Sequence, residues 1–202
     1  MYNNQTGMIT EKLYGSATNA IEKAHSEDAS KEAENGTLYS SELLYGKRML
    51  TILEMVDPDS SYTMKLAVQC QHLKRWGIPR SDYPYDRRGY HQWRRVVMEY
   101  QLEQTQLILS NVNIEAVDIQ FILNVLRNQG DKSNPDSQII MDTACLVFLK
   151  WYMEAFAIKH ESEKVLDILK KTMRKMSETG LYLISRLDLP VSTKQILEQT
   201  AH

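Results

Sequence analysis

The sequence predicts an all-α fold, and three observations support that prediction. Only 8 glycines and 5 prolines punctuate 202 residues, too few turn formers for a chain of many short strands. Apolar residues recur at helical spacing in "LAVQCQHL" and "IIMDTACLVFL", and no run shows a convincing period of two. A hydrophobic share of 43% beside 25% charged residues is enough for a real core at this length, so one helical-bundle domain is expected over 1–202. Its core would span 39–185, preceded by an N-terminal helix and loop (1–38) and followed by a C-terminal helix (186–202).

The first helix is expected over about 7–27, with the polar stretch "SEDASKEAENGT" after it as a loop. Ser40 or Ser41 can cap a helix over about 41–56, because a hydroxyl there accepts from a free N–H of the first turn. "DPDSS" closes that helix, and Asp59 or Ser60 opens another to about Trp76. Two prolines in "GIPRSDYPYD" and the absence of a helical period make 77–86 a long Pro/Arg/Tyr-rich loop. Asp86 can cap a helix over about 88–110, and Asn113 a shorter one over about 114–127. Pro135 suits the first turn of an apolar helix reaching about Ile158, since its missing N–H is not needed there. A helix from about Ser162 to Met176 stops near Thr179-Gly180. In the tail, Ser192 and Gln195 have the spacing of a capping box.

The formal net charge of −2 gives no overall reason to expect nucleic acid or an anionic membrane as partner. Its distribution is more informative. Between Lys74 and Arg95 seven cations stand against two acids, a local +5 that leaves −7 for the rest of the chain. Cys70 and Cys145 lie in apolar helical patterns, as two buried reduced thiols of a cytoplasmic protein would. The first residues lack the basic-then-apolar layout of a secretion signal. Asp142, Lys150 and Glu154 interrupt the apolar run 139–156, and an Asp or Lys near a bilayer centre costs roughly 2.5–3.5 kcal/mol. A membrane span is therefore not expected.

Asp142 most needs explaining. Its helical neighbours Ile139, Cys145 and Leu146 put the carboxylate on an apolar stripe, where an unpaired charge is costly. Glu42 likewise shares a mainly buried face with Tyr45, Gly46 and Met49. Gln71, His72 and Arg75 cluster on the helix between them, flanked by Trp76. If the three helices meet, Asp142 can pair with His72 or Arg75, and a carboxylate partner would raise the pKa of His72. Such a cluster either fixes helix packing or forms a site.

The order "SELLYGKRM", "LAVQCQHLKRW", "MDTACLVFL" resembles the layout of HD-domain phosphohydrolases. In that family a histidine, a later His-Asp doublet and a final aspartate on a central helix grip metal ions. The resemblance implies an HD-like fold, with Gln71-His72 where the doublet would be and Asp142 where the last aspartate would be. It further implies His72, Asp142 and Glu42 as catalytic residues and a divalent metal ion held by His72 and Asp142. The chain departs from the pattern. None of its five histidines (His25, His72, His91, His160 and His202) lies in the 41–56 helix or precedes an aspartate. A metal would have to use Glu42, Gln71, His72 and Asp142, a set that suits a hard cation only loosely because glutamine is a weak neutral ligand. The chain resembles more closely a family of bacterial and fungal proteins defined by a domain of unknown function, DUF4202. The matching segments are "ELLY" (42–45), "QHLKRWGIPRSDYPYDRRGYHQWR" (71–94), "DTACLVFL" (142–149) and "KTMRKM" (171–176).

Within 71–94, Arg75, Arg80, Arg87 and Arg94 stand beside Trp76, Tyr83, Tyr90 and Trp93. Guanidinium forks pair with phosphate or carboxylate through two bonds, and aromatic faces suit a base or sugar ring. Together with Gln71, the arginines and Trp76, Tyr83 and Tyr90 are the candidate ligand-binding residues, for an anionic small molecule rather than nucleic acid or membrane. Alternatively, each arginine pairs with Asp82, Asp86, Glu99 or another acid and simply pins the loop. Two functions compete. One is an HD-like protein that binds a phosphorylated or nucleotide-like anion and hydrolyses it with a metal. The other is a non-catalytic binding or interaction module whose former metal site has become a buried polar packing cluster. A homo-oligomer contact through the N-terminal helix fits either.

Overall fold

A computed structural model describes residues 9–199, and the described chain is predominantly α-helical. Its residues group into two compact units, one of 9–50 and 60–128 and one of 51–59 and 129–199.

The first unit opens with α1 (Glu11–Ser26), where the Thr10 hydroxyl accepts from Leu13 N at 3.3 Å. The stretch expected to be a loop contains a hairpin instead. β1 (Lys31–Glu34) pairs antiparallel with β2 (Thr37–Ser40), Lys31 facing Ser40. Asn35 and Gly36 make the turn with φ of 49° and 78°, the left-handed pair whose twist suits the flanking strands. α2 (Ser41–Val56) follows at once. The cap expected of Ser40 or Ser41 comes from buried Asp28, whose Oδ2 accepts from Glu42 N at 3.2 Å while Oδ1 accepts from Ser30 N at 2.9 Å. The Ser40 hydroxyl is engaged elsewhere, donating to Ser26 O and accepting from Lys31. Buried Arg48 bonds Glu32 at 2.5 Å and Glu34 at 3.0 Å, which ties the hairpin to α2.

Ser61 caps α3 (Tyr62–Cys70) by accepting from Met64 N at 3.2 Å. The helix ends at Cys70, not at Trp76, because the backbone turns left-handed at His72 (φ 64°) and Lys74 (φ 50°), a conformation no right-handed helix continues. Short 3-10 turns at Arg75–Gly77 and Arg80–Asp82 lead to α4 (Arg87–Asn111). Asp86 caps α4 as expected, accepting from Gly89 N at 2.6 Å. Asn113 sits in the following turn with φ 61°. The cap position of α5 (Ala116–Arg127) falls to Glu115, with no side-chain bond. α1 and α5 pack on α3, and α4 packs on α1 and α5; Leu44, Leu66, Leu73, Leu109 and Ile122 are completely buried.

In the second unit Asn134 caps α6 (Pro135–Val147), with the proline in the first turn as expected. The apolar helix does not run unbroken to Ile158: a π-helical turn at Phe148–Tyr152 separates α6 from α7 (Met153–Ile158). α8 (Ser162–Lys175), α9 (Glu178–Ile184) and α10 (Val191–Glu198) follow. Thr179 and Gly180 lie inside α9 rather than in a break. Pro190 occupies the cap position of α10, and the Ser192 hydroxyl donates to Glu154 at 2.6 Å, so the expected capping box does not form. Ile140, Leu146, Leu149, Met153 and Leu169 are fully buried. Both cysteines are free and buried, and burial pushes each thiol up to about 12, where neither is nucleophilic. Among the described residues no helix is long and apolar enough to cross a membrane.

Candidate functional site

The early end of α3 builds the site. Because the chain leaves the helix before His72, the imidazole turns onto Tyr45 of α2 and stacks on it, ring centres 4.4 Å apart at 19°. Its Nε2 is 3.0 Å from Arg75 Nη1 and its Nδ1 is 3.7 Å from Glu42 Oε2. The same Arg75 Nη1 is also 3.5 Å from Nδ1, so the guanidinium nitrogen lies over the ring near both nitrogens and the contact does not select a tautomer. The Tyr45 hydroxyl donates to Gln71 Oε1 at 2.5 Å. Arg75 lies over the Trp93 ring at 4.9 Å, and the indole N–H is held by Ile78 O at 2.9 Å.

Burial disfavours every charge in this cluster. His72 is held well below its ordinary range by desolvation, then by Arg75, Arg94 and His25. The raised value expected from an aspartate partner is therefore corrected. Desolvation lifts Glu42 to about 7, with Arg75 pulling against it and Asp28 adding to it. Arg75 is itself lowered, first by burial, with Glu42 opposing and Arg94 reinforcing. Among the described residues Arg75 forms no ion pair, and its hydrogen bonds go to neutral His72. Two guanidinium groups thus face the cluster beside one acid that is reluctant to ionise.

A family model described as "Domain of unknown function (DUF4202)" matches residues 15–197. The chain belongs to the DUF4202 family. No curated protein and no solved structure matches it. The matched span of this DUF4202 chain takes in both the His72 cluster and Asp142.

The other expected ligand-binding residues divide. Gln71 is buried and engaged by Tyr45. Arg80 donates to the carbonyls of Tyr83 at 2.9 Å and Pro84 at 2.7 Å, and stacks over Tyr85 at 5.0 Å. It pins its own loop, through carbonyls rather than the acids expected. Trp76 and Tyr83 are half-buried, while Arg87 and Arg94 are exposed on α4. Tyr90 is exposed with its ring 6.0 Å from Trp93. Tyr45 is the contributor not singled out from sequence. Its signal was its position at i+3 from Glu42, which puts both on one helical face.

Asp142 belongs to the second unit, and the pairing expected with His72 or Arg75 is replaced by bonds within that unit. Oδ1 accepts from Ser177 N at 2.8 Å and Gln138 Nε2 at 2.9 Å, and Oδ2 accepts from the Ser177 hydroxyl. A metal ion held by His72 and Asp142 does not fit this donor set, because the aspartate oxygens are committed to N–H and O–H donors. Among the described residues no group of three or more His, Cys, Asp or Glu side chains is placed to hold a metal ion.

Proposed function

We propose that the first unit of this DUF4202 protein binds a phosphorylated, nucleotide-like small anion at Arg75 and Arg94, with His72 and Glu42 beside it. The single observation that supports this reading is the state of Arg75. Its half-buried guanidinium is stacked on Trp93 and bonded to a neutral imidazole, with a second arginine close enough to oppose its charge. An oxyanion between the two arginines would relieve that repulsion and gain charge-assisted, two-pronged bonds. The exposed ring of Tyr90 offers a stacking face for a base or sugar. Glu42 and His72 then form a carboxylate–imidazole pair at the ligand, the arrangement general acid–base hydrolysis uses.

Titration calorimetry with inorganic phosphate, pyrophosphate and a panel of nucleotides tests the proposal. Binding that Arg75→Ala and Arg94→Ala each weaken by about tenfold or more supports it. No heat and no thermal shift from any of these at millimolar concentration rejects it. That outcome would favour the non-catalytic module, for which the purely structural engagement of Asp142 already speaks.

A further inference from the structure

We infer that the ligand of the first unit carries a chain of linked phosphates, laid across α4 from Arg94 to Arg88 and Arg95. The inference rests on the anion-site reading and adds to it the ligand's length and course.

The opening turns of α4 go against what a helix start favours. Free N–H groups there carry partial positive charge, which attracts acids and disfavours cations. α4 has no acid in its first turn and places Arg87 and Arg88 there instead. Arg94 and Arg95 repeat the pair two turns on, roughly 10 Å along the axis, and His91 lies between. All five side chains are exposed. Among the described residues none of the four arginines forms an ion pair. The acids that flank them in sequence are taken: Asp86 caps the helix through Gly89 N, and Glu99 pairs with Arg127. Core packing does not explain the arginines either, since the buried side of this stretch is Gly89, Trp93 and Val97. Four like charges that repel one another and the helix start fit a partner outside the chain.

Their positions form a track. At about 100° per residue, Arg94 and Arg87 share one line along α4. His91 follows on its flank, and Arg95 and Arg88 share the next line. Arg94 is close enough to Arg75 to oppose its charge, so the track begins at the anion site. At its far end Arg88, His91, Gln92 and Arg95 wall an open depression of about 390 Å³. The exposed ring of Tyr90 lies on the near flank, one turn before Arg94. One tetrahedral oxyanion engages a guanidinium fork or two, whereas five guanidinium groups in series call for anions in series. A phosphate chain supplies them, its first phosphate at Arg75 and Arg94 and the next over Arg87 and His91 toward Arg95 and Arg88. Inorganic polyphosphate and a nucleoside polyphosphate share this chemistry.

Calorimetry on the full chain at fixed ionic strength compares a nucleoside mono-, di- and triphosphate with inorganic tripolyphosphate. Affinity is expected to rise by about tenfold or more from mono- to triphosphate. Arg88→Gln combined with Arg95→Gln should lose that gain, keep the monophosphate affinity and melt no lower than wild type without ligand. Lys170→Gln combined with Arg174→Gln removes the same charge from exposed positions on α8 and should leave the series unchanged. A nucleotide tighter than tripolyphosphate assigns the nucleoside form, and equal affinities assign the inorganic chain. If the triphosphate binds wild type no better than the monophosphate, the track is wrong and the anion site stands. An equal loss in the α8 variant also overturns the track, because the gain would then be unspecific attraction. A polyglutamate peptide binding as tightly as tripolyphosphate would replace the track with a docking surface for an acidic protein. If no phosphate compound binds, the anion reading fails and the track with it.

Discussion

Asp142 caps α9 through Ser177. The carboxylate of this buried residue takes the Ser177 N–H at 2.8 Å and the Ser177 hydroxyl. That same hydroxyl accepts from Gly180 N at 3.1 Å, in the first turn of α9. Gln138, one turn earlier on α6, adds a further donor at 2.9 Å. An acid persists in the most apolar run of the chain because three donors satisfy it, not because a cation pairs with it.

Asp142→Ala is therefore expected to unfold more easily, by about 3 kcal/mol in urea, since it strands the donors of Ser177 and Gln138 in a buried place. If the first unit binds phosphate as proposed, that binding should be unchanged. A variant with the parent's urea midpoint would show that the cap contributes nothing.

Gly180 tests the same contact from the other side. A Cβ there would lie 2.6 Å from Asp142 Oδ1, so Gly180→Ala should cost about 2 kcal/mol. Because the clash is with the carboxylate, the cost should largely vanish in an Asp142→Ala background. A double-mutant cycle with no coupling would locate the strain elsewhere.

Two glycines flanking the loop should differ sharply. A Cβ on Gly89 meets the backbone oxygen of Pro84 at 2.2 Å, whereas one on Gly77 meets the hydroxyl end of the Tyr100 side chain at 2.7 Å. A side-chain end can yield and a backbone carbonyl cannot. Gly89→Ala is expected to lose about 3 kcal/mol and Gly77→Ala about 1 kcal/mol by thermal or urea melts. Equal losses would contradict the geometry.

Glu42 and His72 give opposite pH dependences. Glu42 is lifted from 4.5 to about 7, so the folded chain keeps a proton that the unfolded chain releases. Its contribution to stability falls as pH rises through that interval and levels off above it. His72 is held below 6.5, so the unfolded chain binds the extra proton, and stability is lost as pH falls below 6.5. Glu42→Gln should gain on wild type by about 2 kcal/mol between pH 5.5 and pH 8 in urea titrations. If the difference between the two proteins were flat with pH, the buried acid would be ionised throughout.

Where a signal is local, the sequence determined the structure. The span of α2, the Asp86 cap, the Pro135 start behind Asn134, the irregular loop 77–86 and the two buried thiols follow from spacing, capping chemistry and turn residues. The hairpin, in a stretch read as a loop, was missed: Asn35-Gly36 is a turn signal, but its strands are short and only partly buried, which blurs the period of two. Gln71, His72 and Arg75 were grouped by helical spacing with Asp142 expected as their acid, whereas the acid beside His72 is Glu42.

Only the tertiary structure decided the partners. Apolar periodicity says which side of an element is buried, but not what it is buried against. Asp142 finds Ser177 on another helix, and α2 is capped by Asp28 from across the hairpin. α3 stops at Cys70 although its apolar pattern runs on to buried Leu73, and that stop swings His72 onto Tyr45 and into the reach of Arg75. Each choice joins groups far apart in the chain or breaks a helix that local preference would have continued, so its free energy comes from packing and desolvation that no short window of sequence contains.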